Sequence, residues 1–114
     1  MIDRDATKTL LDAWLSGDQS AEAVWRWAAN AQASGQSYED ELVRDVVEIL
    51  ATLPQDLITV EDAEVMAYGL GNPPEEADLA QNLLWNHIDS IDSEGRRRAL
   101  ADDPLYGPYC AGIE

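Results

Sequence analysis

The stretch from Ser37 to Pro54, SYEDELVRDVVEILATLP, decides the fold. Leu42, Val43, Val46, Val47, Leu50 and Leu53 recur at steps of three and four, which is one stripe of a helix. Ser37 followed by Asp40 has the form of a capping box with Asp in place of Glu. Pro54 sets the stop, because the residue before a proline avoids helical dihedrals. Glu41, Arg44, Asp45 and Glu48 fall on the opposite face. One side is apolar and the other net negative, so the helix is expected to be the central wall of a small helical bundle.

Working outward, each flanking segment carries helix punctuation. Residues 5–16 place Thr7, Leu10, Leu11 and Trp14 on one side, and Gly17 suits the position after a helix end. Residues 20–33 open on Ser20 as a cap and carry Val24, Trp27, Ala28 and Ala31. The short link Gly17-Asp18-Gln19 predicts that these two helices are antiparallel neighbours. After Pro54, Leu57 and Ile58 are expected to fold back onto the core. Thr59, with Asp62 at the capping-box position, starts a fourth helix. It turns Val60, Ala63, Met66, Ala67 and Leu70 one way, and Glu61, Glu64, Val65 and Tyr68 the other. Asn72 and Pro73 suit the start of a fifth helix. Its apolar stripe is Ala77, Ala80, Leu84, Ile88 and Ile91, and Asp78, Asn82, Trp85 and Asp89 lie on another face. Residues 93–101 make a short last helix. The Pro- and Gly-rich tail from Asp102 is expected to be irregular, pinned by Leu105, Tyr106 and Tyr109. The prediction is therefore all-α: one domain over residues 1–114, a small bundle of five to six short antiparallel helices.

Charge is the main anomaly. The chain has 23 acidic and 7 basic residues, a formal net of −16. Between Glu39 and Glu94 fifteen acids face one base, Arg44, while Arg96, Arg97 and Arg98 cluster just beyond. Such a surface argues against nucleic acid, whose phosphates call for Lys and Arg. It suits a basic protein, which opposite fields would steer. Acidity can also serve solubility alone. With 46% hydrophobic residues the chain has material for a core. No apolar run approaches the ~20 residues of a membrane span, so no membrane partner is expected. The amino-terminal residues lack a signal-peptide pattern and there is one cysteine, which together suggest a reducing, cytoplasmic setting.

The chemistry-bearing residues are few. His87 falls on the apolar stripe beside Leu84 and Ile91, where a hydrogen-bonded core histidine is the expected role. Cys110 sits near the end of a Gly-rich tail as an incidental thiol. A carboxylate-bridged metal site would want Glu-x-x-His on two helices, and Leu84 stands where that Glu would be. Gly69-Leu70-Gly71 follows a helix, not a strand, and reads as a helix terminator, not a phosphate cradle. No catalytic residue, metal or cofactor is assigned. Binding surfaces are left: carboxylates at Glu41, Asp45, Glu48, Glu61 and Glu64, with Tyr68 and Trp85 as aromatic anchors.

The segments Leu10–Gly17, Val24–Ala28 and Glu41-Leu42-Val43 through Leu53 resemble small acidic all-helical bacterial immunity proteins of the colicin D immunity-like kind. The resemblance covers about the first two-thirds of the chain. It implies an inhibitor whose carboxylates occupy the basic active site of a toxin or nuclease. The alternative is an acidic helical adaptor or chaperone subunit of a larger assembly, with a more apolar contact surface.

Overall fold

The computed structural model describes residues 1–111, apart from the side chains of Pro74, Ala77, Cys110 and Ala111. The thiol of Cys110 and the end of the tail therefore lie outside the described residues. The described residues form seven α-helices: α1 (Arg4–Ser16), α2 (Ala21–Ala33), α3 (Glu41–Ala51), α4 (Val60–Gly71), α5 (Ala77–Asp89), α6 (Ser93–Leu100) and α7 (Gly107–Ala111). A 3₁₀ turn at Pro74–Glu76 precedes α5. The all-α bundle expected from the periodicity is what forms.

Helix α3 is the centre. Leu42, Val43, Val46, Val47 and Leu50 are all buried, and Leu11, Val24, Met66 and Leu84 from four other helices close over them. The short link does not make α1 and α2 each other's main neighbour. Instead α1 packs chiefly on α4, and α2 on α3. Gly17 ends α1 at φ 89°, a left-handed conformation that a glycine takes without steric cost.

The start of α3 differs from the expectation. Ser37 does not cap it. Its carbonyl accepts the Ile2 N–H at 2.9 Å, in a short parallel bridge between Ile2 and Tyr38. Asp40 is the cap, its Oδ1 accepting the Val43 N–H at 3.0 Å. The other Asp40 oxygen accepts the Arg4 Nε–H, and Arg4 Nη1 donates to the carbonyls of Leu70 (3.1 Å) and Asn72 (2.9 Å). One buried guanidinium thus ties the start of α1, the start of α3 and the end of α4.

Leu57 and Ile58 do fold back and are buried, with Leu57 at φ 57°. Asn72 does not open α5. It closes α4 in an extended conformation (ψ 157°), as the residue before Pro73 must, and Pro73 in turn precedes Pro74. Two such restrictions in a row delay the helix to Ala77. The tail is not wholly irregular either, since Gly107–Ala111 is helical. Tyr106 pins it: the ring is buried and its hydroxyl donates to the Ile58 carbonyl. Burial, helped by the charges of Asp103 and Asp62, pushes the Tyr106 phenol far above its ordinary value, so it stays a neutral donor. No helix among the described residues is long and apolar enough to cross a membrane.

Candidate binding surface

Helices α4 and α5 pack along Ala63, Met66, Ala67 and Leu70 on one side and Ala80 and Leu84 on the other, all buried. Gly69 lies in this seam, where a methyl group would sit 3.4 Å from Ala80 Cβ, in van der Waals contact. Outside this seam the apolar character continues. Tyr68 is 66% exposed, Leu79 57% and Leu83 46%. Leu79 and Leu83 are one helical turn apart on the same face of α5. Tyr68, Val65, Leu83, His87 and Glu64 line a shallow hollow of about 370 Å³. Glu61, Glu64 and Tyr68 share one stripe of α4, so carboxylates border an aromatic ring.

The floor of this hollow is braced from below. Asp62 is fully buried, and its carboxylate accepts from four donors. These are the Thr59 N–H (2.9 Å), His87 Nε2 (2.6 Å), and Arg96 Nη1 (2.6 Å) and Nη2 (3.0 Å). Burial pushes the Asp62 carboxyl up, but the hydrogen bonds from Arg96, the Thr59 backbone and His87, with the Arg96 charge, outweigh it and hold Asp62 below its ordinary 3.8. The same contact raises the Arg96 guanidinium. An ionised carboxylate accepts only, so His87 Nε2 carries the proton toward it. His87 is thus the hydrogen-bonded histidine that its stripe position suggests, half-buried and not sealed in the core.

The expected anchors are not brought together. Tyr68 borders the α4–α5 hollow. Trp85, two residues on from Leu83, points away from it, toward α3. Its indole N–H donates to Asp45 Oδ2 at 3.1 Å, and Gln81 Nε2 donates to the same oxygen at 2.8 Å. Asp45 is therefore a correction to the expected acidic face. It is only 6% exposed, because α5 covers the edge of α3 on which it lies. Glu41 and Glu48 do stay exposed on α3, and Glu48 shares a second, larger groove with Trp85. The seven expected site residues thus divide. Glu61, Glu64 and Tyr68 form one surface, Glu41, Glu48 and part of Trp85 lie elsewhere, and Asp45 is internal.

Sequence reasoning missed Leu79 and Leu83. The signal was available, because α5 carries apolar residues at 79, 80, 83 and 84, more than one stripe can bury. The Asp62–His87–Arg96 cluster joins residues 25 and 34 positions apart and has no local signature.

The basic side chains are mostly occupied. Arg4, Lys8, Arg26, Arg44 and Arg96 each lie within 4.0 Å of a carboxylate. None of the seven lines the Tyr68 hollow. Among the described residues no group of three or more His, Cys, Asp or Glu is placed to hold a metal ion. No family model, curated protein or solved structure matches the chain.

Proposed function

We propose that this chain is a non-catalytic binding protein, an immunity or inhibitor protein that neutralises a basic toxin or nuclease by covering its active site. The observation that carries this reading is the α4–α5 surface. The exposed Tyr68 and Leu83 line a hollow with Glu64 and no basic side chain lines it, while Glu61 lies one turn away on α4, 3.9 Å from Arg96. Aromatic anchors inside a charged border are the usual composition of interface hot spots. Glu61 and Glu64 would stand where substrate phosphates bind, while Tyr68 and Leu83 would supply apolar contact. Glu41 and Glu48 add to the field that steers a basic partner.

The test is a low-salt pull-down with the wild-type chain and with Y68S/E64K, followed by assay of the retained protein. The reading predicts a basic protein held by the wild type and lost by the variant, whose nuclease or toxic activity falls at one equivalent of the wild type. A retained protein with no such activity, or one held equally by both chains, contradicts it.

The exposure of Leu79 and Leu83 also favours a second reading, the adaptor or chaperone subunit, whose contact surface is apolar. An adaptor would hold its partner through high salt, whereas a charge-steered inhibitor would associate more slowly as salt rises.

A further inference from the structure

Among the described residues, a groove larger than the α4–α5 hollow lies elsewhere. It lies between α3, the 52–58 connector, α5 and α6, with a volume of about 440 Å³, within the range of small-molecule sites. Its cause is visible in how α6 is held. No residue of α6 is fully buried. Polar tethers fix that end of the chain instead: Arg96 donates to the Leu57 carbonyl at 3.0 Å and grips Asp62, and Tyr106 donates to the Ile58 carbonyl. A helix attached by ion pair and hydrogen bond, not by interdigitated side chains, leaves the space beneath it unfilled, where protein interiors ordinarily pack densely.

The groove has a defined chemistry. Ile49, Ile88 and Ile91 supply apolar wall, and Trp85 offers a ring that is 39% exposed. Leu57, also in the wall, is held at φ 57°, a left-handed conformation that is strained for a non-glycine residue and clusters at binding sites. The polar members are unequal. Asp56 is already engaged, accepting from Thr52 Oγ1 at 2.6 Å, and Glu48 is exposed to water. Arg97 is different. Five of the other six bases have a carboxylate within 4.0 Å, yet Arg97 has none among the described residues, and its covered Nε–H has no acceptor. Arg97 lines the groove without a carboxylate partner among the described residues, so an anion entering the groove meets a guanidinium that no acidic side chain of this net −16 chain has taken. One guanidinium beside Glu48 and Asp56 suits a single negative charge better than a phosphate dianion.

We propose that this groove binds a small monocarboxylic acid with an apolar body, its carboxylate on Arg97 and its body against Ile88, Ile91 and the Trp85 ring. The site is separate from the α4–α5 surface and stands whether or not that surface binds a toxin.

The test is a two-dimensional amide NMR titration of the whole chain with 3-phenylpropionate, 3-phenylpropan-1-ol and 3-phenylpropan-1-amine. The acid is expected to bind most tightly, with shifts concentrated in residues 48–58 and 85–97. Arg97→Gln should weaken the acid about ten-fold or more, the value of a charge-assisted hydrogen bond, and leave the alcohol unchanged. Ile91→Trp, which keeps Arg97 and fills the groove, should abolish the acid's shifts. Equal affinity for acid and alcohol, tighter binding of the amine, shifts centred elsewhere, or no response to the acid would each overturn the proposal.

Discussion

Tyr68 and Trp85 look alike in the sequence, each an aromatic among acids on the outer face of a helix. In the structure they do opposite things. Tyr68 is two-thirds exposed, and among the described residues its hydroxyl has no protein partner. Trp85 gives its indole N–H to a buried carboxylate on another helix. The difference lies in the polar tip of each ring. A ring whose tip is satisfied inside the molecule is part of the fold. A ring whose tip and face both look outward is available to a partner. Acidic surroundings do not distinguish the two, because Asp45 beside Trp85 is internal and Glu64 beside Tyr68 is not.

The comparison can be pressed at three depths. Asp62→Asn should have the largest effect, because it removes the charge that Arg96 faces and disturbs the His87 floor under Tyr68. Breaking such a buried pair costs about 3–5 kcal/mol, measurable as a lower denaturant midpoint. It should also change the acid limb of stability. Asp62 is held below 3.8, so its contribution is fully present above that value and is lost as pH falls through the lower folded-state value. Stability of the wild type should therefore drop below about pH 4 more steeply than that of the variant.

Trp85→Phe comes next. It keeps most of the ring and deletes the bond to Asp45, whose remaining donor is Gln81 at 2.8 Å. The expected loss is about 1–2 kcal/mol, with partner binding unchanged. A double-mutant cycle with Asp45→Asn should show coupling between the two. Additive effects would place Trp85 outside the fold's internal bonding and undo the contrast. Tyr68→Ser should be the smallest in stability, within about 0.5 kcal/mol, because the ring has no buried contact to lose. Its effect should appear in binding instead.

The fold was legible because a helix writes its burial into the chain every three to four residues. The α3 stripe, the Ser20 cap and the Thr59–Asp62 pair could be read locally, and so could the return of Leu57 and Ile58 to the core. What could not be read depends on partners distant in the chain. Asp45 differs from Glu48 only in being covered by α5, 36 to 40 residues on. Arg4 finds Asp40, and Arg96 finds Asp62, across comparable separations. The Asn72 boundary was a local misreading, since two successive prolines restrict both residues before them and outweigh the capping preference. For the surface, the charge pattern indicated α4 correctly as exposed and acidic. It did not show that Leu83 joins Tyr68, because the packing angle of two helices is not written in either one.

Not every acidic pair can be reversed without harming the fold. Asp3 caps α1 through the Ala6 N–H, and Asp12 pairs with Lys8, so reversing them would disturb the first helix. Glu41 and Glu48 are exposed carboxylates on a different helix. The decisive measurement is the association rate of the basic protein retained in the pull-down, taken over a salt series for the wild type, E61K/E64K and E41K/E48K. Both double variants change net charge equally. If the α4–α5 surface is the interface, the wild-type rate falls steeply with salt, and E61K/E64K loses at least about ten-fold more affinity than E41K/E48K. Equal losses would mean that bulk charge alone attracts the partner, and no loss from either would contradict the account.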